Sequence, residues 1–491
     1  MVNNPEISNI SNHFIPFIIY NPLIAILVIS FLTKLKSIKA VSYISLVLNL
    51  IICVHIFLNF NTNSIKPQFV VLSHWIVFLN LDFAMGVTGL SLLFIASISI
   101  IIFLSLIYER TDFTFKKKTI LILFIGSFAN GFFLSLNTIL MFFFLIVFII
   151  SFYLYITYFE DNNRGKNIFI VLLSSSLFFL SSVIIIYSNS GSFYLPNVEI
   201  LKFISPEVGM WVFVMMIISV VMIFSIFPFH VISVQQKDSE SIFTNIVISS
   251  IVLKIAIFNY IKFCMPFKFN DNFLYVLIVL SLLTFLYSSI IAFTRNSINK
   301  LFSYIMVSHA AIAFTGALFF INDGITGSIL HIINMGFIIP GLFFCYGFMF
   351  RRTDSSMIDD NRAISIEMPV FSIFVIFFSL ALIGFPMTGT FISEFLIISG
   401  GLKKSTIFGT LIIFGLIFTA LYVINYTRKM IWGDSDINIL NLKKISNKDL
   451  KFDELLILLI LAIIIIFNGL FPKLLMDIMN SDLNNILKLK L

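Results

Sequence analysis

The run Ile246-Val247-Ile248-Ser249-Ser250-Ile251-Val252-Leu253-Lys254-Ile255-Ala256-Ile257 decides how this chain folds. It sits within an apolar stretch, 242–261, about the 20 residues that a helix needs to cross the hydrocarbon core of a bilayer. Lys254 falls near its middle, too deep to snorkel easily to the interface. A lysine at that depth costs at least about 2.5 kcal/mol against lipid. It must therefore face other helices or a water wire, where its amine can take up and release a proton. An interior ion pair is the other use of such a residue.

The rest of the chain has the same character. Of 491 residues, 59% are hydrophobic and 11% charged, with mean hydropathy +1.06. A soluble domain carries about 25% charged residues, so a soluble fold is excluded. A β-barrel is disfavoured because the apolar segments are long runs, not alternating strands of about ten residues. Disorder, collagen and coiled-coil compositions fail too. Cys53, Cys264 and Cys345 lie far apart without metal spacing, so no zinc, iron–sulfur cluster or disulfide framework is expected. No Gly-rich phosphate loop, dinucleotide fingerprint or nucleophile triad occurs, so no cofactor is expected and any redox chemistry must come from partners. Met1 to His13 is polar and lacks Lys and Arg, unlike a secretory or transit leader. Phe, Ile, Asn and Lys are heavily used; their codons are AT-rich, which points weakly to an AT-rich, organelle-like genome.

Fourteen apolar runs read as helices: 15–33, 40–59, 87–108, 119–136, 138–158, 167–187, 209–229, 242–261, 273–294, 300–320, 325–349, 367–399, 406–427 and 455–472. Charge supports the count. Odd-numbered connections, with Lys300 at the edge of its run, hold 21 Lys and Arg, against nine in the even-numbered connections and termini; only Lys254 lies well inside a run. This bias places odd connections on the positive side of the membrane and both termini opposite. It also accounts for the net charge of +7 without nucleic acid.

A faint repeat follows. Phe227-Pro228-Phe229-His230 and Phe385-Pro386-Met387-Thr388-Gly389 both interrupt apolar runs, with prolines 158 positions and five helices apart. Five is odd, so the repeats must be inverted in the membrane, a plan that transporters use with ion sites near broken helices. Proline also breaks helices for packing reasons alone. The expected fold is an all-α polytopic membrane protein of about fourteen transmembrane helices, with two inverted five-helix repeats containing broken helices. The expected divisions are 1–117 (three helices), 118–264 and 265–430 (the repeats), and 431–491 (a last transmembrane helix and tail).

Four further residues are relay candidates. Glu394, two turns past Pro386, is the other charged residue well inside an apolar run. His309 and His331 fall within helices, and His230 follows the first break. Each is either a proton carrier or a satisfied polar group. His13, His55 and His74 fall at helix ends or in connections and carry no expectation.

These residues resemble the antiporter-like membrane subunits of respiratory complex I over roughly 75–475. Gly86-Val87-Thr88-Gly89-Leu90-Ser91-Leu92-Leu93-Phe94 is similar to the family's G-x-D-G-L-S-x-x-F, with Thr88 for the acid. Pro228-Phe229-His230 through Leu253-Lys254 matches P-[FL]-H…L-L-K without a gap. Ser303-Tyr304-Ile305-Met306-Val307-Ser308-His309 resembles A-Y-S-S-I-S-H, and Gly384 to Phe395 resembles G-x-P-G-T-x-x-F-x-G-E-F. Lys254 together with Glu394 points to the chain 4 (subunit M) branch.

The resemblance implies a proton-translocating subunit of an H+-translocating NADH:ubiquinone reductase, with the redox steps in other subunits. It implies a mitochondrial inner-membrane location with termini on the intermembrane-space side. Chains 2 and 5 are the implied neighbours, and cardiolipin a possible bound lipid. Two departures stand out. The family pairs a glutamate in its fifth helix with a lysine in its seventh; Ile146 and Ile223 stand there. The family histidine at Met335 is absent, and His331 lies one turn earlier on the same face. Rival readings are a non-pumping scaffold of complex I, a multisubunit cation/proton antiporter subunit, and a plastid relative of complex I.

Overall fold

The computed structural model describes residues 14–76, 81–194, 205–229, 242–267, 271–433 and 449–487. Its residues group into two compact units. The first comprises 1–220, 258–269 and 476–491, the second 221–257 and 270–475.

The first unit opens with α1 (Phe14–Phe31) and α2 (Leu35–Asn59). Pro22 lies inside α1 and has no N–H for the carbonyl of Ile18. Asn49 of α2 supplies the missing donor, its Nδ2 lying 3.0 Å from that oxygen. Asn21 Nδ2 answers with bonds to Ser45 O and Asn49 Oδ1 at 2.7 and 2.8 Å. Four helices follow: α3 (Gly89–Tyr108), α4 (Phe115–Leu134), α5 (Thr138–Phe159) and α6 (Asn162–Ser190). α1 packs on α2 and α4, and α3 to α6 pack each on the next. α7 (Pro206–Ile223) and α8 (Ile242–Cys264) have residues in both units.

The second unit holds α9 (Asp271–Phe293), α10 (Ile298–Leu318), α11 (Asn322–Thr353), α12 (Pro369–Leu382), α13 (Gly389–Lys404), α14 (Thr406–Trp432) and α15 (Phe452–Leu470). α11 is its axis, packing on α10, α12, α13, α15 and the middle of α8. The apolar windows of α8, α10 and α11 are 100% buried, whereas those of α14 and α15 are 33% and 39% buried. The outer helices thus leave an apolar surface for lipid or neighbours, and the buried ones are where a charged side chain can sit.

Each of the fourteen apolar runs carries helix among the described residues. Twelve helices among the described residues are long and apolar enough to cross a bilayer unbroken. The two exceptions are the runs interrupted at Pro228 and Pro386; Pro22 and Pro340 leave α1 and α11 unbroken. α7 stops at Ile223, where Ser225 takes φ +57° and Pro228 follows. The run 367–399 is split into α12 and α13 by a break at Ile383–Thr388, with Gly384 at φ +79° and Met387 at +77°. Ahead of α12, the stretch Asp359–Glu367 is bent from it by 118°.

Two features add to the fourteen expected helices. The connection after α2 forms an antiparallel hairpin, β1 (Gln68–Ile76) and β2 (Leu81–Val87), pairing Val71 with Met85 and Ser73 with Phe83. Its Val- and Phe-containing segments favour strand. α3 accordingly begins at Gly89, two residues later than the apolar run, with Thr88 and Ser91 forming its capping box. The expected tail contains a further helix, α16 (Pro472–Leu487). It escaped a search for apolar runs because it is amphipathic.

Candidate functional site

The second unit gathers the intramembrane charges and histidines onto α8, α10, α11 and α13. α8 is not a regular helix. π-helical turns occupy Ile248–Val252 and Tyr260–Cys264, the first ending where Leu253 N–H donates to Ile248 O. Such turns widen a helix locally and recur at functional sites. Ser249 and Ser250 satisfy themselves on the preceding turn, donating to Asn245 O at 2.9 Å and Ile246 O at 2.5 Å.

Lys254 follows at once and is fully buried. Its Nζ has no hydrogen-bond partner among the described residues and lies 5.7 Å from the centroid of the Phe337 ring. A Cβ on Gly336 would stand 2.8 Å from that nitrogen, so the ammonium rests against α11 where it has no side chain. Pro340, inside α11, has no N–H to give the carbonyl of Gly336. The cation therefore meets both an aromatic face and a turn with a backbone acceptor free of its helical donor.

His309 and His331 are brought together. His309 Nδ1 and His331 Nε2 are 3.2 Å apart, so one carries the shared proton and the other accepts it. His331 Nδ1 lies 3.1 Å from Ser393 Oγ. The residue after that serine is Glu394, which is 6% exposed, with Oε1 unpartnered among the described residues. A Cβ on Gly384 would stand 2.5 Å from Oε2, so the carboxylate packs into the α12–α13 break. Ligand atoms of His309, His331 and Glu394 all lie within 4.8 Å of one another, close enough for a shared proton or for a small cation.

The break is tied to α11 and α15 through amides. Asn468 Nδ2 donates to Asn334 Oδ1 at 3.0 Å, and Gly389 packs directly on the Asn334 amide. Thr390 donates to Ala381 O, and Thr388 Oγ1 lies 2.9 Å from Thr390 Oγ1.

Of the sequence candidates, the structure therefore joins His309, His331 and Glu394, and places Lys254 against the same helix α11. His230 and His13 lie outside the described residues. His55 is exposed on α2. Met335 is buried and His331 alone supplies an imidazole from α11. Ile146 is half-buried on α5 and Ile223 is 2% exposed at the end of α7. Ser393, Asn334, Gly336, Pro340 and Asn468 were missed. Pro340, four residues after Gly336 in an unbroken apolar run, was the one readable signal.

Comparison with known proteins places this geometry in context. A family model described as NADH:quinone oxidoreductase/Mrp antiporter, transmembrane, matches residues 135–419. NADH-quinone oxidoreductase subunit M of Rickettsia typhi is 26% identical over 495 residues, covering 96% of this chain and 97% of that one. NADH-ubiquinone oxidoreductase chain 4 of Marchantia polymorpha is 24% identical over 501 residues, covering 99% and 98%. A chain of respiratory complex I from Thermus thermophilus superposes with TM-score 0.81 at 20% identity, covering 98% of this chain and 99% of that one. A chain of the Mrp complex from Dietzia sp. gives 0.82 at 14% identity, covering 96% and 52%. With more than half its length matched by the family model, the chain belongs to the NADH:quinone oxidoreductase/Mrp antiporter transmembrane family.

Proposed function

We propose that this chain is an antiporter-like subunit of respiratory complex I that moves protons across the membrane while partner subunits oxidise NADH and reduce quinone. Near-complete coverage of the Rickettsia and Marchantia relatives supports complex I over a free-standing antiporter. The Marchantia relative's chain 4 name and the AT-rich residue usage support the mitochondrial inner membrane, and the loop charge bias supports termini on the intermembrane-space side. Chains 2 and 5 are the neighbours this reading requires, and cardiolipin is a lipid that Lys- and Arg-rich connections would attract.

The observation that carries the reading is the buried run His309–His331–Ser393 with Glu394 beside it. A proton added to one imidazole leaves from its other nitrogen, so two bonded imidazoles pass charge without either side chain moving. Lys254 is the second carrier, an amine whose charge is balanced by no described carboxylate. Glu394 gives up or takes the proton at the break. The rival scaffold reading rests on Ile146 and Ile223, which put apolar side chains where family members hold an ion pair.

Transport separates them. Lys254→Ala removes a costly buried charge, so assembly should hold while the proton-to-electron ratio in reconstituted vesicles falls. Glu394→Gln keeps size and hydrogen bonding but cannot titrate; its ratio should fall equally, and the double variant should be no worse than either single one. An unchanged ratio in Lys254→Ala would establish the scaffold reading instead.

A further inference from the structure

Outside the relay, the first unit holds a second buried polar cluster, where α8 ends. Asn259 is fully buried, and neither its Oδ1 nor its Nδ2 has a hydrogen-bond partner among the described residues. One turn on, Lys262 Nζ lies 3.0 Å from Asp482 Oδ1, in a pair whose side chains are 13% and 7% exposed. The other carboxylate oxygen, Oδ2, accepts from Leu90 N–H at the start of α3, at 2.8 Å. α16, which carries Asp482, is pressed on that start so closely that a Cβ on Gly89 would fall 2.0 Å from Ile478 O. Asn259 caps the π turn Tyr260–Cys264, and Lys262 lies within that turn.

A primary amide has two donors and an acceptor. Leaving it dry in a membrane interior costs several kcal/mol, whereas a leucine of similar size would cost nothing. Polar atoms that buried protein does not satisfy are the sites that hold internal water. Water at Asn259 would lie one turn from an ammonium–carboxylate pair, which can accept and return a proton.

We propose that Asn259 and the Lys262–Asp482 pair form a water-holding proton station at the end of α8. Lys254 stands five residues earlier on the same helix, about 7.5 Å by helical rise, so the inference rests on the relay reading of that lysine. In this station a water bonded to the Asn259 amide takes a proton and passes one on to a second water toward the Lys262–Asp482 pair. Lys262 holds the carboxylate in place from Oδ1. Asp482 is anchored besides by the N–H of Leu90, so both of its oxygens are held in place.

Two measurements on the whole complex test this. In a cryo-EM map of the wild-type complex fine enough to show ordered waters, density is expected within hydrogen-bond distance of the Asn259 amide; a dry amide overturns the proposal outright. Asn259→Leu should assemble at wild-type level, because it removes unsatisfied polar atoms, while its proton-to-electron ratio drops to that of Lys254→Ala. A wild-type ratio in Asn259→Leu with a lowered one in Lys254→Ala overturns the station and leaves the relay standing. Wild-type ratios in both overturn the relay reading itself. Should Asn259→Leu fail to assemble, the water map alone decides.

Discussion

The two breaks in the second unit solve one problem with different chemistry. At Phe224–Phe229, Ile226 N–H reaches back to Val221 O at 3.2 Å and Phe227 N–H is taken by Thr284 Oγ1 at 3.1 Å. Phe224 stacks on Phe314 with centroids 5.0 Å apart, and Ile223 is buried beside it. At Ile383–Thr388, Phe385 N–H likewise reaches back to Leu380 O, at 3.1 Å, and Thr388 and Thr390 cap the freed carbonyls of Phe385 and Ala381. Here, however, Asn334, Ser393, His331 and Glu394 crowd the break. A proline-interrupted helix thus needs hydroxyls and backward bonds wherever it occurs. Titratable groups are an addition, made at one break and not among the described residues of the other.

The hardest test of that contrast is to put a charge at the apolar break. Ile223→Lys should cost about 3–5 kcal/mol, the penalty of an uncompensated buried charge. It should appear as lost assembled complex on native gels, whereas Ile223→Met, which conserves volume, should assemble normally. Normal assembly of Ile223→Lys would mean that an acid or water reaches the site, and the contrast would fail.

The contrast also explains what the sequence could reveal. The apolar runs and loop charges located every long helix, because lipid imposes length and charge rules that act residue by residue. Lys254 and Glu394 were legible for the same reason: a charge in an apolar run is anomalous by itself. The His309–His331 contact was not, since it depends on how α10 and α11 pack, 22 residues apart in sequence. Asn334 and Asn468 were invisible because amides are unremarkable until they meet. The hairpin was missed because a hunt for twenty-residue runs ignores strands of nine and seven residues.

A second test bears on the packing of the polar break. Gly389→Ala would place a Cβ within 2.6 Å of three Asn334 side-chain atoms and push that amide off Asn468. Losing a buried amide bond costs about 1–3 kcal/mol, so the thermal midpoint of the complex should drop and the proton-to-electron ratio should fall with it. A lower midpoint with an unchanged ratio would show that the amide ladder holds the break together without serving transport.

The smallest expected effect is the most discriminating. Thr284→Val is nearly isosteric and takes the acceptor from Phe227 N–H at the apolar break; Thr390→Val takes the donor from Ala381 O at the polar one. Each removes two neutral hydrogen bonds, the second being Thr284 to Leu280 O and Thr390 with Thr388, worth about 1 kcal/mol apiece, so the two should lower stability alike. They should differ in transport. Thr390 begins the turn that presents Ser393 and Glu394, so its loss should reduce the proton-to-electron ratio. Thr284 serves only backbone groups beside apolar rings, Phe227 N–H and Leu280 O, and its loss should leave the ratio at the wild-type value. If Thr284→Val lowers the ratio as much as Thr390→Val, protons cross near the first break after all. The isoleucine at 223 would then have replaced a charged carrier without closing its path.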